Sequence, residues 1–248
     1  RTAAQNLPAV TDVYLYQTVH LLDGFCRNLP EHLARLDGWA RSLFGFGLPL
    51  TEAQAADALL REARRGAPAG CDRSLFVRLA VDDSGEVECR FRGISLYRGY
   101  AHRSITPDAV TLRYALPFGE GPTSAREAAA ALARQQAQAA DAQVALRCDE
   151  AGRAVTADDA PLFALSGRTL VTPPAPRSVE RQTALDAALR AGFDIVEEPL
   201  PREALRRFEE LFYVDHRGVT SLAHCDGEPF MTLRAERIAE AMEALYPM

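Results

Sequence analysis

The chain has 248 residues, of which 48% are hydrophobic and 25% charged, with a formal net charge of −6. This ordinary globular composition is long enough for one large domain or two small ones with real cores. The acidic balance argues against a phosphate-backbone binder, so no nucleic-acid partner is expected, and no apolar run approaches the roughly 18 residues of a membrane span.

All 28 basic residues are arginine, and there is no lysine. No side-chain amine can therefore form a Schiff base or act as a tuned amine base. The cysteines (Cys26, Cys71, Cys89, Cys148 and Cys225) are odd in number, widely spaced and without a CxxC pair. That pattern supports neither a disulfide framework nor a zinc ribbon, and a cytoplasmic location is expected. The five histidines form no HxxxH or HExxH pair, so no metal is expected.

In chain order, residues 13–19 read as a strand rich in β-branched and aromatic residues, followed by an Asp23-Gly24 hairpin turn. Pro30 opens a helix whose apolar stripe is Leu33, Leu36, Trp39, Ala40 and Leu43, ending at Gly45 and Gly47. Thr51 and Gln54 form a capping box for a second helix to about 64. Leu75, Val77, Leu79 and Val81 alternate as a strand; Asp82 to Gly85 turns the chain, and Val87 to Ile94 returns it. A strand at 109–116 and a linker at 118–123 close the expected N-terminal lobe, 1–117.

The expected C-terminal lobe, 124–248, begins with Ser124 and Glu127 as a second capping box, leading an alanine-rich helix to about 140. Arg126, Arg134 and Glu127 read as its solvated face. Strands are expected at 144–147, 161–165, 169–172, 193–197, 212–214 and 219–224, and helices at 178–191, 201–211 and 233–245. The fold class is α+β, with a cleft between a small and a larger lobe.

Several segments together resemble one family. Tyr16-Gln17-Thr18-Val19, Leu22-Asp23-Gly24 and Leu29-Pro30-Glu31-His32-Leu33-Ala34-Arg35-Leu36 are similar to the opening of the class IV aminotransferases and aminodeoxychorismate lyases, enzymes of the fold-type IV pyridoxal-phosphate class. Residues 144–157, Leu162 to Leu165, Leu170 to Pro174, Glu209 to Leu222 and Asp226-Gly227 follow in the family's order. The resemblance implies a fold-type IV architecture and a homodimer with its sites near the interface.

Carried over position by position, the family's cofactor anchors are absent. The aldimine lysine falls on Pro122 to Ser124, and the pyridine-nitrogen glutamate on Ala157, with Asp158 adjacent. A phosphate-binding arginine falls on Asn28, with Arg27 beside it; the hydroxyl-bearing turn falls on Val214-Asp215-His216, and the Gly-Ile-Thr phosphate loop on Ser178-Val179-Glu180. Two like charges about 4 Å apart repel by roughly 4 kcal/mol at an effective dielectric of 20. Asp215 and Glu180 would therefore oppose a phosphate dianion.

The resemblance thus implies a divergent relative, a lyase- or transferase-like biosynthetic enzyme that works without pyridoxal phosphate on a small carboxylate-bearing metabolite. The open alternatives are a class IV enzyme that binds PLP or PMP non-covalently, and a non-catalytic metabolite- or protein-binding dimer. His216 is the candidate acid–base residue, with Asp215 or Asp158 as a second group. Tyr16, Arg78, Arg92 and Arg98 are the candidate contacts to substrate. A solvated turn at 214–216 and surface arginines are the competing structural readings.

Overall fold

The computed structural model describes residues 13–71, 73–95, 99 and 101–245. The first sheet is built from β1 (Tyr14–Leu22), β2 (Phe25–Cys26), β3 (Ser74–Asp82) and β4 (Val87–Ile94), antiparallel in the order β2-β1-β3-β4. Two helices, α1 (Leu29–Leu43) and α2 (Glu52–Gly66), cover one face. Their apolar stripes meet the sheet in a cluster that includes Leu15, Val19, Leu36, Leu59, Val77 and Leu79. Of the expected α1 stripe, Leu33, Leu36 and Ala40 are buried, whereas Trp39 is half-buried and Leu43 lies at the exposed end. The capping box on α2 is present: the Thr51 side chain accepts from the Gln54 amide, and Gln54 reaches back to the Thr51 amide.

The second sheet contains β5 (Asp108–Arg113), β6 (Val144–Cys148), β7 (Arg153–Ala157), β8 (Ala160–Ser166), β9 (Thr169–Thr172) and β10 (Asp194–Glu197). It is completed by β11 (Leu200–Pro201), β12 (Glu210–Asp215), β13 (Gly218–Ser221), β14 (His224–Cys225) and β15 (Glu228–Pro229). Its main path is β10-β9-β8-β7-β6-β5-β14-β15, with β12 laid against β8 and β13 against β12. Helix α3 (Ser124–Ala139) carries the chain between the parallel pair β5 and β6; α4 (Val179–Arg190) does so between β9 and β10. Helix α5 (Ala235–Ala244) packs with α4 and the stacked Phe163 and Phe212 rings in one cluster. Together the two sheets give the expected α+β class.

Four local expectations change. Strand β5, read as the end of the first lobe, belongs to the second sheet, where it pairs in parallel with β6 along its length. The segment 153–157, between the 149–152 turn and Asp158, forms β7, because β6 and β8 offer it partners on both sides. The expected helix 201–211 is a short 3-10 turn at Arg202–Arg207; the remainder is drawn into β12 by its pairing with β8. Thr123, not Ser124, caps α3 by accepting from the Arg126 amide, which frees Glu127 for a partner in the first sheet. Among the described residues, no helix is long and apolar enough to cross a membrane.

Candidate functional site

The connection into α3 runs beneath β1. The Tyr16 amide donates to the Pro122 carbonyl at 2.9 Å, and Leu15 bridges Thr123. Over this crossing lies a cleft of about 110 Å³, small beside the usual small-molecule site and open at its mouth. Tyr16 and Gln17 enter from β1 and Arg35 from α1. Glu120 and Arg126 enter around the start of α3, Asp159 from the β7–β8 turn, Glu180 and Arg181 from the first turn of α4, and Asp215 and His216 from the end of β12.

Asp215 and His216 share this wall although they are neighbours on a strand. The strand ends at Asp215, so the alternation of faces no longer applies to His216 in the turn. The His216 ring meets Phe76 edge-on at 4.9 Å, and Phe76 in turn lies 5.1 Å from His20. Burial lowers the His216 pKa below the ordinary imidazole value, against the opposing pull of Asp215 and Glu180, so the ring is neutral at pH 7. Burial pushes the Asp215 carboxyl up, but His216, an imidazolium at the acid pH where the carboxyl titrates, and Arg217 outweigh it and hold it below its ordinary value. Arg217 Nε donates to Asp215 Oδ2 at 2.8 Å. Glu180 moves the opposite way: burial raises it, and Asp215 adds to the rise. Acids of opposite tendency thus flank one imidazole, an arrangement suited to proton transfer.

Tyr16 spans the cleft, its hydroxyl donating to Asp159 Oδ2 at 3.2 Å. Burial, followed by the charges of Asp159 and Glu127, raises its pKa well beyond the ordinary phenol value, so it stays protonated. Behind it, His32 Nδ1 lies 2.9 Å from Gln17 Oε1, and Gln17 Nε2 donates to the Tyr16 carbonyl at 2.9 Å.

The other expected site residues lie elsewhere. Asp158 sits in a left-handed turn (φ 50°) and faces away, accepting from the Ala145 amide at 3.1 Å and from Arg134 Nε at 3.0 Å. The next residue, Asp159, lines the cleft in its place, because the strand ends at Ala157 and the turn that follows sets its direction. Arg78 stands 4.4 Å over the Tyr16 ring, but both its terminal nitrogens are bound to Glu127, and it does not line the cleft. Arg92 is exposed on β4, and Arg98 lies outside the described residues.

The cleft arginines are Arg35, Arg126 and Arg181. Sequence reasoning placed Arg126 on a solvated face, yet it is 9% exposed and donates to the Glu120 carboxylate, the Glu120 carbonyl and the Asp159 carbonyl. Arg147 grips the other oxygen of Glu120 from below.

A model of the family described as amino-transferase class IV matches residues 14–215. The chain belongs to the class IV aminotransferase family. Its structure is similar to the branched-chain aminotransferase of Thermoproteus uzoniensis, with a TM-score of 0.79 at 17% identity over 94% of this chain and 84% of that one. It is also similar to a putative 4-amino-4-deoxychorismate lyase of Legionella pneumophila (TM-score 0.77, 15% identity, 94% and 90% covered). An aminotransferase of Brucella abortus, solved bound to PLP, matches with a TM-score of 0.77 at 19% identity over 94% and 88%. No curated protein matches the sequence. The fold is therefore of fold-type IV.

The cleft does not fit pyridoxal phosphate held as in that class. The chain has no lysine to form the aldimine. Glu120 and Pro122 line the cleft from the segment ahead of α3, and Glu120 is fixed between Arg126 and Arg147. The amides at the start of α4 already have acceptors of their own: Ser178 Oγ receives the Arg181 amide at 3.2 Å, and the Glu180 carboxyl receives its own amide. Among the described residues, no group of three or more His, Cys, Asp or Glu side chains could hold a metal ion.

Proposed function

We propose that this class IV family member is a PLP-independent enzyme of lyase or transferase type, moving a proton on a small carboxylate-bearing metabolite held in the cleft. The observation that carries the reading is the His216 imidazole lining one cleft with Asp215, Glu180 and Tyr16. His216 takes the proton on a ring nitrogen, and Asp215, ionised beside it, stabilises the imidazolium that forms. Tyr16, kept protonated, supplies a hydrogen-bond donor. Arg35, whose hydrogen bonds go to backbone carbonyls, keeps its charge in the cleft and attracts the substrate carboxylate, whereas Arg126 is paired with Glu120. The chain works as a symmetric homodimer burying more than about 2,000 Å², which light scattering tests.

The chemical test is isotope exchange. Purified protein is incubated in D₂O with pyruvate, succinate and a series of larger oxo- and dicarboxylates, and deuterium entering carbon beside the carboxylate or carbonyl is followed by NMR. The expected result is catalysed exchange for a subset of the series, lost in His216→Ala. Exchange at the buffer rate throughout, or equal exchange in the variant, overturns the reading.

A further inference from the structure

The first turn of α4 is where the family resemblance locates a phosphate loop, and its local geometry is that of a helix start already supplied with an anion. Ser178 is the cap, with extended backbone (φ −129°, ψ 161°) and its hydroxyl on the Arg181 amide. Two residues on, Glu180 folds its carboxyl onto its own amide and faces the cleft. A carboxylate there meets the positive end of a 12-residue helix.

Arg35, on α1, donates to the Arg177 carbonyl, immediately before the cap, and the charge that most strongly supports its ionised form is that of Glu180. Arg181 does not add to this attraction: its Nη2 is tied to Glu197 at 2.5 Å and to the Pro173 carbonyl at 3.3 Å. Asp215 faces the same space and contributes further negative charge. The groups that would draw a dianion here are already engaged, the Arg181 amide by Ser178 Oγ and Arg35 by the Arg177 and Glu120 carbonyls, and Glu180 adds a carboxylate beside them.

We infer that Glu180 is an internal substitute for a ligand phosphate, and that it makes this end of the cleft select against phosphorylated ligands. The inference rests on the cofactor-free reading and names the residue that enforces it. A phosphate entering beside Glu180 meets like charge from that residue and from Asp215 and displaces nothing but a covalently tethered competitor. With Glu180 neutralised or shortened, an outside anion meets less like charge at this helix start, while the Arg35 guanidinium remains in the cleft.

The experiment is equilibrium dialysis of the full chain with two probes, inorganic phosphate and pyridoxal 5′-phosphate. It compares wild type, Glu180→Gln and Glu180→Ala, each first shown to be folded by circular dichroism and thermal melting. Glu180→Gln preserves shape and guards against a variant that simply fails to fold. The expected result is negligible retention of either probe by wild type and a gain of at least about tenfold in affinity in Glu180→Ala, equal to about 1.4 kcal/mol. Glu180→Gln should show a smaller gain. If wild type and both variants all exclude the probes, the inference is overturned and the cofactor-free reading stands. If wild type retains pyridoxal phosphate as tightly as the variants do, both are overturned.

Discussion

Arg78 on β3 and Glu127 in the first turn of α3 form a two-pronged ion pair, Nη1 to Oε2 at 2.8 Å and Nη2 to Oε1 at 2.5 Å, that joins the two sheets at the edge of the cleft. Tyr14 donates its hydroxyl to the same carboxylate at 2.7 Å, and the guanidinium lies over the Tyr16 ring. Both partners are largely buried, with side-chain exposures of 14% and 28%. Arg78→Ala should therefore destabilise the chain, and a double-mutant cycle with Glu127→Ala should return a coupling of about 1–3 kcal/mol by urea unfolding. Additive single effects would show that the pair does not join the sheets. Burial raises the Glu127 pKa, but Arg78 and Tyr14 bring it below its ordinary value. Its stabilisation is thus present above about pH 4.5 and lost as pH falls below that value.

Two buried histidines make the fold sensitive to acid. Burial pushes His20 and His32 down to about 3 from the ordinary 6.5. The unfolded chain then binds protons that the folded chain refuses. The stabilisation they carry is complete above about pH 6.5 and declines as pH falls toward 3, by up to about 1.4 kcal/mol per pH unit for each ring. Urea unfolding at pH 7, 6 and 5 should show this loss, and the double variant His20→Gln/His32→Gln should show a shallower dependence. An equal slope in the variant would rule out these rings as its source.

Glu210 is fully buried and caps α5 from outside that helix, accepting from the amides of Leu233 (3.2 Å), Arg234 (2.6 Å) and Ala235 (3.0 Å). Glu210→Ala leaves these donors without their acceptor and should cost about 3 kcal/mol, lowering the melting temperature by several degrees. A change under about 1 kcal/mol would mean that water replaces the cap.

His216→Ala should lower turnover of any substrate found by at least about tenfold, since general acid–base groups contribute 10²–10⁴. The melting temperature should move by only a few degrees. Because the base form is the neutral ring and burial lowers its pKa, wild-type activity should persist below pH 6.5 and fall as pH drops through the shifted value. An acid limb centred above 6.5 would assign the proton transfer to another group.

Gly218 has φ +132°, and a Cβ there would collide with the Ala101 carbonyl, which accepts the Val219 amide at 3.2 Å. Gly218→Ala should therefore be destabilising and should shift the adjoining 215–217 turn, reducing activity as well as melting temperature. Unchanged values of both would show that the 101–103 segment yields freely.

The sequence alone determined the chemistry that is excluded and most of the local order. The absence of lysine rules out a side-chain aldimine irrespective of folding. The Thr51–Gln54 box, the alternation of Leu75 to Val81 and the stripe on α1 set their elements because each depends on neighbours within a few residues. The ordered family-like segments likewise carried the architecture. Tertiary structure decided which polar groups share the cleft. Strand pairing assigned β5 to the second sheet and 210–215 to a strand; an ion pair from the other sheet took Glu127 out of the local capping pattern. A left-handed residue at Asp158 turned Asp159, not its neighbour, toward Tyr16. Arg126 reads as part of a solvated face and became a cleft residue only in the folded chain, where Arg35 joins it from α1. Local spacing records contacts within a turn or a hairpin, whereas these partners are separated by tens of residues and meet through sheet register.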